Sequence, residues 1–221
     1  MAFEHDGLSD VPRAFVTAGH RAVSIDLPFH GDRVIDGHKE GIDGFCEAVV
    51  AGQDPFGPFV DDIGACIDAC AQRGWVRDDR VFVTGVSRGA YCALRVAAAD
   101  QRVNAVAALQ PVTDWRALRE FESVRDDPAV AALAIEHWVN DLAGRPVFVA
   151  IGANDRRVST QCCVQFVTAL VEAEHRAGTE RSMLDFHLDS YGNGHRGDQI
   201  WYRRAAQFLL DVAKPPENRS P

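Results

Sequence analysis

The chain of 221 residues is long enough for one domain with a sizeable core, with or without a modest insertion, and 47% hydrophobic with 25% charged residues excludes wholesale disorder. A net charge of −9 without a cluster of Lys and Arg leaves no surface for neutralising phosphates, so nucleic acid is not an expected partner. No apolar run nears the roughly 20 residues that span a bilayer, and Met1–Asp10 lacks the basic and apolar segments of a signal peptide, so a cytoplasmic protein with no membrane partner is expected.

In chain order, residues 8–18 suit a helix, and Ala22–Asp26 reads as a short buried strand running into the loop Leu27–Arg33. Residues 33–58, rich in Gly and Asp, read as an irregular excursion. Val60, Ile63, Ile67 and Cys70 recur at helical spacing between Phe59 and Arg73, with Gly74 placed to end the helix. Arg80–Thr84 is a β-branched, apolar strand that enters Gly85-Val86-Ser87-Arg88-Gly89, and a helix follows through Ala99.

Further strands are expected at Asn104–Leu109, Pro146–Ile151 and Ser182–Leu188, with helices at Val158–His175 and Gln199–Val212 and a fraying tail from Lys214. Alternating helices and short, continuously apolar strands predict an α/β fold: a mostly parallel sheet with helices on both faces. Residues 111–145 interrupt the alternation with two helical stretches, Trp115–Phe121 and Pro128–Leu142, and read as a small helical cap inserted in a single domain spanning 1–221. The six cysteines, Cys66 and Cys70 on a helix and Cys162 beside Cys163 among them, match no metal-ligand spacing and read as reduced, mostly buried thiols.

The triplet Gly85-x-Ser87-x-Gly89, set between a predicted strand and a predicted helix, carries the chemistry. Random placement of the serines among 18 glycines gives roughly 0.05 such matches, so the pattern is specific. A serine on a tight strained turn needs neighbours without side chains, and the turn lifts its hydroxyl to the open end of the next helix. There the backbone N–H of Arg88 faces a developing oxyanion. The plainer alternative is an ordinary Gly-rich turn.

A serine hydroxyl needs a base, and the base an orienting carboxylate. Asp155, just beyond the strand Val147–Ile151, sits on the edge where parallel sheets bind ligands, although Asp also caps helices well. His195, between Gly192, Gly194 and Gly197, lies on a loop able to fold back over that edge. Ser87 as nucleophile, Asp155 as acid and His195 as base follow in the order this fold uses.

These segments, with Asp26-Leu27-Pro28-Phe29-His30-Gly31-Asp32-Arg33 and Gly152-Ala153-Asn154-Asp155-Arg156-Arg157-Val158, resemble the α/β-hydrolase superfamily over nearly the whole chain. The resemblance is greatest to small esterase-like members related to dienelactone hydrolases and to the prolyl oligopeptidase catalytic domain. It implies a Ser-His-Asp triad acting without metal or organic cofactor, and a structural loop at His30–Gly31 near the site. It also implies a strand and a His-Gly loop before Ala22–Asp26 that supply a second oxyanion N–H. The residues before Ala22 leave no room for both, so a fold shortened at its amino end is expected.

The leading expectation is a serine hydrolase acting on a small-molecule carboxylic ester or related acyl bond. A peptidase of prolyl-oligopeptidase type and a non-catalytic binding protein on the same fold are the alternatives. His30, Trp115 and Trp138, with Phe121, are candidates for the pocket wall. For the aromatic residues of the insertion, packing on the sheet is the competing role.

Overall fold

The computed structural model describes residues 9–76, 80–190 and 194–214. Helices α1 (Asp10–Thr17), α2 (Gly41–Val50) and α3 (Gly57–Gln72) precede the first strand, β1 (Val81–Val86). Then come α4 (Arg88–Ala99), β2 (Val103–Leu109), an insertion containing α5 (Pro128–Ala131) and α6 (Val139–Leu142), β3 (Val147–Gly152), α7 (Thr160–Arg176), β4 (Leu184–Asp189) and α8 (Gln199–Ala213). The four strands form one parallel sheet in chain order, β1-β2-β3-β4.

Because side chains alternate across a strand, each sheet face collects its own core. Ala105, Ala107, Leu109, Phe148 and Ala150 meet Val11 and Phe15 of α1 and Trp201, Ala205 and Leu209 of α8. Val106, Ala108, Val147, Val149 and Ile151 meet α4, α7, α2 and the insertion on the other face. Both faces are covered, as the apolar strands require. Among the described residues no helix is long and apolar enough to cross a membrane.

Three sequence expectations are corrected. Ala22–Asp26 is neither helix nor strand and pairs with no strand among the described residues; Val23 is 60% exposed, while Ile25 and Leu27 pack on the core. An apolar, β-branched run becomes a strand only beside a hydrogen-bonding neighbour, and among the described residues β1 is an outer strand of the sheet. Within the supposed irregular stretch, Gly41–Val50 is helical and buries Phe45, Ala48 and Val49. The two helical stretches of the insertion break into 3₁₀ turns at Trp115–Ala117, Arg119–Val124 and Ile135–Trp138 and the short α5 and α6.

Other punctuation holds. Gly74 adopts φ +67° after α3, its N–H reaching Ala71 O while Trp75 N–H reaches Cys70 O, which ends the helix as expected. The residues before Ser9 and the tail beyond Lys214 lie outside the described residues, as does the question of an oxyanion donor near Met1–Gly7.

Candidate active site

β1 delivers Ser87 to the sheet's carboxyl edge on a turn that no ordinary residue adopts easily. Its φ of 55° and ψ of −117° fall in a region that favours glycine. A Cβ on Gly85 would lie 2.2 Å from the backbone C and O of Gly89, so that glycine is obligatory. Gly89 differs: an added Cβ meets only Leu27 Cδ1 at 3.8 Å, an ordinary contact. The requirement for a missing side chain therefore falls on one of the two flanking glycines.

The turn is pinned from the neighbouring strand and its loop, since Ser87 N–H donates to Leu109 O at 2.8 Å and Val112 N–H to Ser87 O at 3.2 Å. Arg88 opens α4, and its backbone N–H has no acceptor among the described residues. Such an orphan donor at a helix start beside Ser87 suits an incoming oxyanion.

Asp155 and His195 arrive from the loops after β3 and β4. Asp155 accepts Arg157 N–H (2.9 Å) and Val158 N–H (3.2 Å) on Oδ1, leaving Oδ2 for His195 Nδ1 at 2.8 Å. Its side chain is wholly buried, whereas that of His195 is 26% exposed. Burial alone would raise the Asp155 carboxyl; the hydrogen bond and charge of His195, with the two backbone N–H groups, outweigh it and hold the carboxyl below its ordinary range. Asp155 is not the cap of α7, because Ser159 takes that role by accepting Cys162 N–H.

His195 Nε2 stands 2.9 Å from Ser87 Oγ. An ionised carboxylate only accepts, so Nδ1 carries the proton toward Asp155 and Nε2 is left to accept from the serine hydroxyl. The loop bearing His195 is tied to the loop bearing Asp155 by Gly194 N–H on Asn154 Oδ1 at 3.1 Å. The Asp155 loop is tied to the insertion by a bidentate pair of Arg157 on Glu120, at 2.7 and 2.8 Å. The structure thus brings Ser87, His195 and Asp155 into one hydrogen-bonded series.

The aromatic residues proposed for the pocket wall go elsewhere. Trp115 is fully buried, stacked on Phe45 with ring centroids 4.2 Å apart and edge-on to Phe121 and Tyr91. Phe121 is likewise fully buried in that cluster. Trp138 lies under the Arg95 guanidinium, 3.6 Å from the ring centroid, two turns along α4 from Ser87. The insertion packs its aromatic side chains against the core, the competing role considered above. His30 is exposed and faces Glu40, Nδ1 to Oε1 3.2 Å.

Sequence reasoning missed Asn154, Glu120 and Arg157, whose roles depend on contacts across the chain that no spacing rule encodes. It also missed Gln110, buried just after β2 with φ +47°, a strained residue adjoining the peptide that holds Ser87.

Comparison with known proteins adds an independent line. The profile of the prolyl oligopeptidase family matches residues 57–215. Among curated proteins none matches by sequence. Among solved structures, TT1662 from Thermus thermophilus is 20% identical with a TM-score of 0.71, over 93% of this chain and 82% of its own. The Pyrococcus furiosus esterase PF2001 is 17% identical with a TM-score of 0.52, over 69% and 61% of the two chains. The Pyrococcus horikoshii acylaminoacyl peptidase is 14% identical with a TM-score of 0.59, over 83% of this chain and 32% of its own. At these identities the likeness is one of fold, and the chain spans 22–32% of the length of the peptidases it matches.

Proposed function

The chain belongs to the prolyl oligopeptidase family of serine hydrolases, within the α/β-hydrolase superfamily, and on that footing we propose that it hydrolyses a small carboxylic ester through an acyl-enzyme on Ser87. The observation that supports this reading is the unbroken series Ser87 Oγ, His195 Nε2, His195 Nδ1, Asp155 Oδ2, with steps of 2.9 and 2.8 Å across the two hydrogen bonds.

In this reading His195 takes the hydroxyl proton as Ser87 Oγ attacks the acyl carbon. Asp155 holds the imidazole in the required tautomer and stabilises the imidazolium. The oxygen that becomes negative is received by Arg88 N–H. His195 then gives its proton to the leaving alcohol, and in the second half deprotonates the water that releases the acid.

The net charge of −9 favours a neutral or apolar acyl group, and the compact insertion favours a small substrate over a polypeptide. The family match favours a second reading, cleavage of an aminoacyl amide. Rates on p-nitrophenyl esters against aminoacyl-anilides separate the two: an ester preference is expected, and anilide turnover that exceeds ester turnover replaces it with the second. A fluorophosphonate probe tests the nucleophile itself. It is expected to label Ser87 in the unmodified chain and to label nothing after Ser87→Ala, with turnover reduced by about 10⁶. Failure of the unmodified chain to label would favour a binding protein on this fold.

A further inference from the structure

His195 comes to the site on a loop with few ties of its own. The loop leaves β4 where Ala153 N–H donates to Asp189 O at 2.8 Å, and it enters α8 where the Asp198 side chain accepts Ile200 N–H at 2.9 Å. Between those ends, among the described residues, its backbone makes one hydrogen bond, Gly194 N–H on Asn154 Oδ1 at 3.1 Å. Gly194 has φ +67°, and a Cβ there would meet nothing within 4 Å, so its backbone conformation rather than any shortage of space asks for glycine. In that conformation the N–H reaches Asn154 while the next residue, His195, reaches the triad.

Asn154 is a braced acceptor. It sits in the turn Gly152–Asp155, closed by Asp155 N–H on Gly152 O at 3.2 Å. Thr160 locks the same turn from the start of α7. Its hydroxyl donates to Gly152 O at 2.6 Å and accepts Asp155 N–H at 3.1 Å, and its own N–H donates to Asp155 O at 2.9 Å. The Asn154 carboxamide thus joins a firmly held loop to one with fewer bonds.

The side-chain ties of His195 do not stay constant through the reaction. In the resting site Nε2 accepts from Ser87 Oγ at 2.9 Å, and Nδ1 donates to Asp155 Oδ2 at 2.8 Å. Once Ser87 is acylated, its proton has left with the alcohol, and Oγ is an ester oxygen with nothing to donate. Nε2 then loses that partner at the moment when it must take a proton from water, so that the water oxygen can attack the acyl carbon. At that stage, among the described residues, His195 is held by Asp155 and by the Asn154 tie alone.

We propose that Asn154 is a positioning residue for deacylation, keeping the His195 loop docked while Ser87 carries the acyl group. Acylation needs it less, because the Ser87 hydroxyl is then present to hold Nε2. The inference rests on the reading of Ser87 as nucleophile, and its test keeps the two apart.

Hydrolysis of p-nitrophenyl acetate is followed before and through the steady state for the unmodified chain, Asn154→Ala and Asn154→Asp. Loss of one neutral hydrogen bond shifts a docking equilibrium about fivefold, so kcat is expected to fall by about that factor in Asn154→Ala, with KM falling alongside. The ratio kcat/KM and the rate of fluorophosphonate labelling, which report attack by Ser87, should stay within about twofold. Asn154→Asp keeps an acceptor and should restore most of kcat. A fall in kcat at unchanged KM, as general damage to the site would give, or no fall at all, would overturn the proposal while leaving Ser87 labelling intact. A second readout needs no turnover, because Ser87→Ala removes the partner of Nε2 as acylation does. The low-field proton resonance of His195 Nδ1–H on Asp155 is expected to persist in Ser87→Ala and in Asn154→Ala, and to broaden away by exchange when the two are combined. Its persistence in the double variant, or its absence from Ser87→Ala, counts against Asn154 whatever the turnover of the unmodified chain.

Discussion

At the scale of single residues, the turn at Ser87 separates geometry from composition. Gly85→Ala forces a methyl group to 2.2 Å from backbone, so it should cost about 3 kcal/mol or more and remove turnover, measured by urea unfolding and ester hydrolysis. Gly89→Ala meets only a side-chain carbon and should stay within about 1 kcal/mol. Ser87 itself carries strain, and Ser87→Gly should raise stability by about 1 kcal/mol while abolishing labelling. Ser87, Asp155 and His195 were legible in the sequence because local rules, glycine spacing and chain order, govern where they fall. Trp115 was not legible as a core residue. Helical spacing says that a side chain faces something, and only the fold reveals that Phe45, from far earlier in the chain, is what it faces.

Secondary-structure elements bring the loops together. Asp155→Asn leaves His195 with a partner that no longer fixes its tautomer, and turnover should fall by about 10⁴ with Ser87 in place, checked by single-turnover kinetics. The Arg157–Glu120 pair holds the Asp155 loop to the insertion. Burial alone would raise the Glu120 carboxyl, but the hydrogen bonds and charge of Arg157 outweigh it and hold it below the ordinary range, as those of His195 do for Asp155. Carboxyls depressed in the folded state make the unfolded chain bind more protons on acidification. Their contribution is complete above the ordinary carboxylate value, about 4, and fades as pH falls through the lower folded values. Urea titrations from pH 7 to 3 should show this loss, with a shallower slope for Glu120→Gln. Helix α2 escaped the sequence reading because Gly41, Asp43 and Gly44 suggested a loop. Gly44 is glycine because a Cβ there would strike the Lys39 carbonyl, so packing demanded the residue that obscured the helix.

On the scale of the molecule, the parallel sheet and its two covered faces were readable from apolar runs alternating with helical periods. Which strand lies outermost was not, because the apolar pattern of Ala22–Asp26 is the same whether or not a neighbour exists. All six cysteines are free, but only Cys92 and Cys163 are buried, against the expectation that most would be, and burial pushes those two thiols up to about 12. The outer place of β1 also sets a rhythm for hydrogen–deuterium exchange. Ser87 donates to Leu109, and by the two-residue alternation of a strand Val83 and Gly85 turn their amides the same way, toward β2. Those of Thr84 and Val86 turn outward, and Thr84 is exposed. In heavy water, the signals of Thr84 and Val86 should vanish well before those of Val83 and Gly85, so that the strand leading to Ser87 loses its protons on one side first.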